Sequence, residues 1–326
     1  MNIYKHLQKK LGERVRQQEL LAPYTTFKIG GPADYFFEAR TQEELVNAVR
    51  ASNALALPFF LLGGGSNILV SDKGYRGLVI KNCTNNIVIR GMYGRREAGR
   101  SSGKVFVEAD SGVNVNTLVR LTIEEGLGGL EMHLGLPGTV GGAVYMNAKW
   151  IHPEGYLGDT VYKAEIVTPG GEVKAVPKSY FRFAYDYSCI QKTKDIVISV
   201  TFAFNQEDRD TLWATANESI AYRRRTQPQG VRSAGCVFRN ISPAEAVSIS
   251  TPHLTTSVGY LIDHSGAKGL VVGDASISPV HANFIVNNGK AKAQQVIELI
   301  ERVKAIVKQR YNITLSEEIV RVGEFT

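Results

Sequence analysis

"LLGGGSN", residues 61–67, decides the reading of this chain. It closes the apolar run "PFFLLG" (58–63), which has the length and the Phe and Leu content of a buried strand, and then sets three glycines in a row. Glycine has no Cβ, so the backbone there can take positive φ and approach a ligand without a side chain in the way. Successive amide N–H groups in such a turn form a nest for an anion, with Ser66 and Asn67 adding hydrogen-bonding groups. A second cluster, "GLPGTVGGA" (135–143), repeats this chemistry after Leu134. One glycine-rich turn usually only reverses the chain; two in one domain favour a phosphate-bearing ligand. Neither cluster is a familiar nucleotide fingerprint. Ile68 stands where G-x-G-x-x-G needs its last glycine after Gly63 and Gly65, and the Gly-Lys-Ser/Thr of a P-loop is absent. A Rossmann dehydrogenase and a P-loop enzyme are both disfavoured.

Around these clusters the chain mixes strand and helix patterns with no fixed repeat. Thr41 with Glu44 three positions on forms a capping box, and Leu45, Ala48 and Val49 give the following helix one apolar face. "GLVIKN" (77–82), "NIVIRGM" (86–92) and "VFVEAD" (105–110) read as strands, and "VNVNTLVRLTIEEG" (113–126) as a helix ended by Gly126. "KAEIVTPGGEVKAV" (163–176) is a hairpin turning on Gly170-Gly171, and "DIVISVTFAF" (195–204) a long strand. The polar break "NQEDRD" (205–210) marks a domain boundary, followed by a helix through "LWATANESIAYRRR" (212–225). A final helix runs from Ala291 to about Tyr311, with Val296, Leu299, Ile300, Val303, Ile306 and Val307 as its apolar stripe. The first 20 residues alternate charged and apolar side chains like an amphipathic helix.

With 326 residues the chain has room for two domains with a small annex. Its 44% hydrophobic and 21% charged content is that of a soluble globular protein, and a net charge of +7 suits an anionic ligand. Nucleic acid is disfavoured, because the basic clusters Arg95-Arg96 with Arg100 and Arg223-Arg224-Arg225 lack interleaved aromatics for base stacking. The first cluster reads as a solvated surface. Cys83, Cys189 and Cys236 are odd in number, far apart and in no C-x-x-C pair, which argues against a disulfide framework or a metal site and fits a reducing cytoplasm. The longest apolar run, 54–62, is too short to span a bilayer and contains Pro58, so no membrane association is expected. No obligate protein partner is inferred.

Six segments taken in order carry a resemblance: "TTFKIGGPA" (25–33), "LLGGGSNILVSDKGYRGLVI" (61–80), "LGLPGTVGGAVYMNA" (134–148), "SAGCVFRN" (233–240), "GDASISPVHANFIVN" (273–287) and "LSEEIVRVG" (315–323). Together they resemble the UDP-N-acetylenolpyruvoylglucosamine reductase family of peptidoglycan synthesis. The resemblance implies an α+β fold: an N-terminal helix (1–24), an FAD-binding domain of the vanillyl-alcohol-oxidase type in two subdomains (25–208), and a C-terminal α+β substrate-binding domain (209–326). Little chain separates Ser188 from Arg223, which matches the shorter subclass without a tyrosine-bearing loop. FAD is the implied cofactor, held at its diphosphate by Gly63, Gly64, Gly65, Ser66 and Asn67 and by Pro137, Gly138, Thr139, Gly141, Gly142 and Ala143. NADPH is the implied co-substrate, and an enolpyruvyl UDP-sugar the acceptor.

Reduction of that acceptor places negative charge on the carbon beside its carboxylate and then requires a proton there. On the resemblance, Cys236 stands at the position of the family's serine acid, and Glu318 at that of its catalytic glutamate. A thiol, with an ordinary pKa of about 8.5, is a far stronger acid than an aliphatic hydroxyl and a sensible substitute. Free cysteine otherwise tends to pack as a small hydrophobe, and Glu318 beside Glu317 has a solvated pair as its plain alternative. The resemblance also places Asn240, Lys268 and His281 against the substrate, each with a structural role as the competing explanation.

The chain departs from the family at three places. Asp186 in Tyr185-Asp186-Tyr187-Ser188 replaces the catalytic arginine, Thr226 replaces the diphosphate lysine, and "MNAKWIHPEGYLGD" lacks the usual Ala-Gly-Ala-Tyr-Gly run. Arg182 and Arg223 to Arg225 are the cations near enough in sequence to compensate. The departures leave open a flavoprotein of the same fold with another acceptor, or a degenerate flavin- or nucleotide-binding protein.

Overall fold

The computed structural model describes residues 2–93, 96–97, 100–101 and 103–325, of which 92–93, 96–97 and 100–101 by their backbone only. The side chains of Arg95, Arg96 and Arg100 lie outside what is described. The chain forms two compact units, one of residues 1–17, 34–64 and 77–223, the other of residues 18–33, 65–76 and 224–326.

The first unit carries two sheets. In the smaller, strands run in the order Arg16–Leu20, Pro32–Ala39, Tyr75–Asn82, Phe59–Leu62, the last two parallel with Phe59 opposite Leu78. The helix Gln42–Ala54 begins as its cap predicts, the Glu44 N–H donating to Thr41 Oγ1 at 3.1 Å. Leu45, Ala48 and Val49 are buried with Leu7, Phe37, Leu78 and Ile80. The larger sheet is antiparallel, in the order Val173–Pro177, Val161–Val167, Ile196–Gln206, Lys104–Asp110, Ile87–Tyr93. Its face buries Val107, Phe202 and Phe204 with Leu118 and Ile123 of the helix Val115–Glu124 and with Val140 and Val144. Residues 207–208 alone join the strand Ile196–Gln206 to the helix Arg209–Thr226, so no extra loop lies there.

Two expectations about elements change. The amphipathic pattern of the first 20 residues gives a helix only over Ile3–Leu11; Gly12, at φ +83°, ends it and donates to the Gln8 carbonyl at 2.8 Å. The chain then enters the strand Arg16–Leu20, where Arg16 pairs with Glu38 at 2.9 Å. Alternating charge suits an exposed edge strand as well as a helix face, and glycine decides between them. The polar break at 205–210 does not end the first unit, because the next helix buries Leu212 and Ala216 in the core of the larger sheet.

The second unit is built around the helix Ala293–Tyr311. Its Val296, Leu299, Ile300, Val303 and Val307 are buried with Phe27, Leu69, Phe238, Leu261 and Ile319. A small antiparallel sheet (Val271–Val272, Ala275–Ile277, Ile285–Asn287) lies in the same unit. Ile68–Val70 pairs in parallel with Val320–Val322, which draws residues 65–76 to the C-terminal part of the chain.

Candidate active site

In the first unit the two glycine clusters touch. A Cβ at Gly63 would stand 2.6 Å from Thr139 Oγ1, and one at Gly64 would stand 2.6 Å from Gly138 Cα. Closeness, then, is what requires glycine at 63 and 64; positive φ is needed at Gly65 (+64°) and Gly138 (+119°). Lys81, which burial holds below the ordinary lysine pKa, donates to the Gly63 carbonyl and fixes the turn.

Thr139 caps the helix Val140–Met146, its Oγ1 accepting from Gly142 N–H at 3.4 Å. Several amides of this cluster are spent inside the protein: Val140 N–H on Val113 O, Gly141 N–H on Ser111 O and Ala143 N–H on Thr139 O, at 2.8 to 2.9 Å. Gly142 is exposed, and a Cβ there would meet only Thr139 Oγ1, at 3.5 Å. The surface beside it is therefore open to a ligand.

The segment that carries Asp186 hangs from the far end of the same helix. Asn147, buried at φ +48°, donates to Ala184 O at 3.0 Å, and Ser188 Oγ donates to Tyr145 O at 2.7 Å. Asp186 is buried at φ +49°, and its carbonyl accepts from Gln191 Nε2 at 2.9 Å. The stretch that departs from the family after Asn147 forms a hairpin, Lys149–Ile151 against Glu154–Tyr156. It presents the Lys149 ammonium 5.3 Å from the centre of the Tyr185 ring and 5.4 Å from that of Tyr156, with Glu154 as its ion partner at 3.1 Å. Sequence reasoning did not single out Lys149; the departure from Ala-Gly-Ala-Tyr-Gly was the available signal. Of the two cations it did name in this unit, Arg223 stacks on Trp150 at 3.8 Å, and Arg182 lines a surface cavity with Tyr180, Tyr187 and Lys192.

In the second unit, Cys236 and Glu318 lie on neighbouring backbone. Glu318 N–H donates to Val237 O at 2.8 Å and Arg239 N–H to Ser316 O at 2.9 Å, on either side of an isolated bridge between Phe238 and Glu317. Both candidate residues are half-buried. Cys236 follows Gly235, at φ +82°, and bridges Phe284 on its other side. Asn283 braces this arrangement: Val237 N–H donates to its carbonyl, Phe238 N–H to its Oδ1 at 2.9 Å, and its Nδ2 to Phe238 O at 2.8 Å. Asn67 Nδ2 donates to Glu318 O at 3.2 Å, which brings one of the sequence-selected residues beside the candidate glutamate.

The three residues proposed against the substrate are also in this unit. Asn240 is exposed, and its Oδ1 accepts from Val258 N–H at 3.1 Å at the start of the helix Val258–His264. Lys268 pairs with Asp263 at 2.8 Å. His281 accepts Asn283 N–H on Nδ1 at 3.2 Å, so its neutral ring carries the proton on Nε2. Burial, with the Lys268 charge, lowers its pKa and keeps it neutral. Gly259 makes room for the ring, since a Cβ there would stand 2.8 Å from His281 Cε1. Cys83, Cys189 and Cys236 form no disulfide. Among the described residues there is no cluster of three or more His, Cys, Asp or Glu able to hold a metal, and no helix is long and apolar enough to cross a membrane.

Comparison with known proteins finds relatives over nearly the whole chain. The family model for the UDP-N-acetylenolpyruvoylglucosamine reductase C-terminal domain matches residues 227–322, and that for an FAD binding domain matches residues 33–176. A UDP-N-acetylenolpyruvoylglucosamine reductase of Halalkalibacterium halodurans is 36% identical over 315 residues, covering 97% of this chain and 96% of the relative. One of Desulfosudis oleivorans is 36% identical over 320 residues, covering 96% of each. The crystal structure of the Thermus caldophilus reductase superposes with a TM-score of 0.75 at 32% identity, covering 95% of this chain and 99% of that one. A VAO-type flavoprotein of Myceliophthora thermophila, 9% identical with a TM-score of 0.53 over 97% of this chain and 81% of its own, shares the fold.

Proposed function

Since this chain belongs to the UDP-N-acetylenolpyruvoylglucosamine reductase family, we propose that it reduces the enolpyruvyl ether of UDP-N-acetylglucosamine to UDP-N-acetylmuramate with FAD and NADPH, in peptidoglycan precursor synthesis. The observation that carries this reading is the placing of Cys236 and Glu318 on hydrogen-bonded neighbouring backbone in a chain that aligns with such reductases over 97% of its length.

The first unit fits an FAD diphosphate. With Val140, Gly141 and Ala143 N–H committed to the protein, we assign the donor role to the amides of Gly63, Gly64, Gly138 and Thr139, which among the described residues donate to no backbone carbonyl. The open side of Gly142 gives the phosphates room. We assign Gly63, Gly64, Pro137, Gly138, Thr139, Gly141, Gly142 and Ala143 to this cradle, by close approach where not by donation, and Gly65, Ser66 and Asn67 to the same cofactor. Bound FAD supplies the hydride acceptor and donor that a protein side chain cannot.

In the second unit the Cys236 thiol delivers a proton to the carbon beside the substrate carboxylate, and Glu318 assists the enolate and protonation steps. His281 offers an N–H from Nε2, Lys268 a positive charge and Asn240 an amide to the UDP-sugar. The first unit serves the flavin and the second the substrate, with the helix over residues 209–223 packed in the first. The cytoplasm as location belongs to the same proposal, in keeping with three cysteines in no disulfide.

A coupled assay on purified protein tests the function. Yellow protein and NADPH oxidation that depends on the enolpyruvyl UDP-sugar are expected. Oxidation indifferent to that acceptor, or a colourless protein that takes up no FAD, overturns the proposal.

A further inference from the structure

Glu317, next to Glu318, is held by cations from two elements. Arg321, of the strand Val320–Val322, grips it in a two-pronged contact, with Nε on Oε2 at 2.8 Å and Nη2 on Oε1 at 2.5 Å. Lys304, of the helix Ala293–Tyr311, adds Nζ on Oε1 at 2.6 Å, and Glu301 joins both cations at 3.0 and 3.2 Å. The Glu317 side chain is only 14% exposed. Burial alone would raise its pKa, but the hydrogen bonds from Arg321 and Lys304 outweigh this and keep the carboxyl below the ordinary range. A lone exposed ion pair contributes little to stability. A bidentate, half-buried one tied into a network instead fixes geometry.

Geometry is what this place lacks otherwise. The backbone of residues 316–318 meets that of 237–239 through two hydrogen bonds around a single isolated bridge, with no continuous ladder. Asn67 adds one bond to the Glu318 carbonyl. We propose that the Lys304–Glu317–Arg321 clamp is a positioning device that holds Glu318 in register with Cys236 for the proton-delivery step. This rests on the assignment of Glu318 proposed above.

The test compares Glu317→Gln, Lys304→Met, Lys304→Arg, Glu318→Gln and the double variant Glu317→Gln/Glu318→Gln as FAD-loaded enzymes, with each half-reaction followed by rapid mixing. Glu317→Gln and Lys304→Met should leave flavin reduction by NADPH unchanged and slow flavin reoxidation by the enolpyruvyl substrate about tenfold or more, with kcat falling and KM steady. Lys304→Arg should restore the rate. The Glu317 loss should largely vanish on the Glu318→Gln background, because it acts through that residue. If Glu317→Gln fails to fold, the two Lys304 variants decide. Normal reoxidation in Glu317→Gln beside a slow Glu318→Gln overturns the clamp and spares the Glu318 assignment. Normal reoxidation in Glu318→Gln overturns that assignment and the clamp with it. Equal slowing of both half-reactions, or full additivity in the double variant, reduces the clamp to a structural brace and overturns the proposal.

Discussion

At Gly64 one added carbon would press on Gly138 Cα at 2.6 Å, whereas at Gly142 it would find only Thr139 Oγ1 at an ordinary 3.5 Å. The two glycines thus separate fold from ligand. Gly64→Ala should cost roughly 1–3 kcal/mol of stability through forced backbone movement, together with its flavin. Gly142→Ala should melt like the wild-type apoprotein yet carry less FAD, read from visible absorbance per protein; full flavin content in that variant would remove Gly142 from the cradle. At Cys236 the two explanations also part. If the thiol is the acid, Cys236→Ala leaves flavin reduction by NADPH intact and slows reoxidation by the enolpyruvyl substrate by on the order of a hundredfold, while Cys236→Ser recovers much of the loss. A cysteine that only packs would change both half-reactions together, with Ser no better than Ala. Rapid-mixing kinetics on each half-reaction distinguishes the two.

The one-turn helix Glu131–His133 leads into the second glycine cluster and buries His133 to 1% exposure, with no hydrogen-bond partner on either ring nitrogen among the described residues. Burial, and then the Arg223 charge, push its pKa down to about 3. The folded protein keeps this imidazole neutral, whereas the unfolded chain protonates it near pH 6.5. Its contribution to stability is therefore complete above about pH 6.5 and is lost as pH falls towards 3, by at most about 1.4 kcal/mol per pH unit. His133→Leu should flatten that acid limb in urea melts taken across the range; an unchanged limb would show that other groups set it. Element boundaries followed local signals closely where a cap or a glycine marked them, as at Thr41 and Gly126. Over the first 20 residues one charge pattern serves a helix face and an edge strand alike, and Gly12 alone separates the two.

On the scale of the molecule, the chain weaves between its units, residues 63 and 64 going with one and residues 65–76 with the other. A ligand that binds only the folded state stabilises it by mass action. FAD added to stripped protein should raise the melting temperature with concentration, and Gly142→Val should abolish that rise. An FAD-independent melt in the wild-type chain would contradict the cofactor assignment.

What the sequence determined by itself was whatever a few consecutive residues encode. Glycine clusters specify where backbone comes close to something, period-2 and 3.6-residue patterns specify strands and helices, and six ordered segments specify the family with Cys236 and Glu318 in it. The tertiary structure alone decided which distant residues meet. It set Gly64 against Gly138, spent the Gly141 and Ala143 amides inside the protein, brought Lys149 to Tyr185 and closed Lys304 and Arg321 on Glu317. The reason is physical: a residue's local pattern records that it must be buried or paired, while its partner is chosen by how whole elements pack, and no short stretch of chain carries that choice.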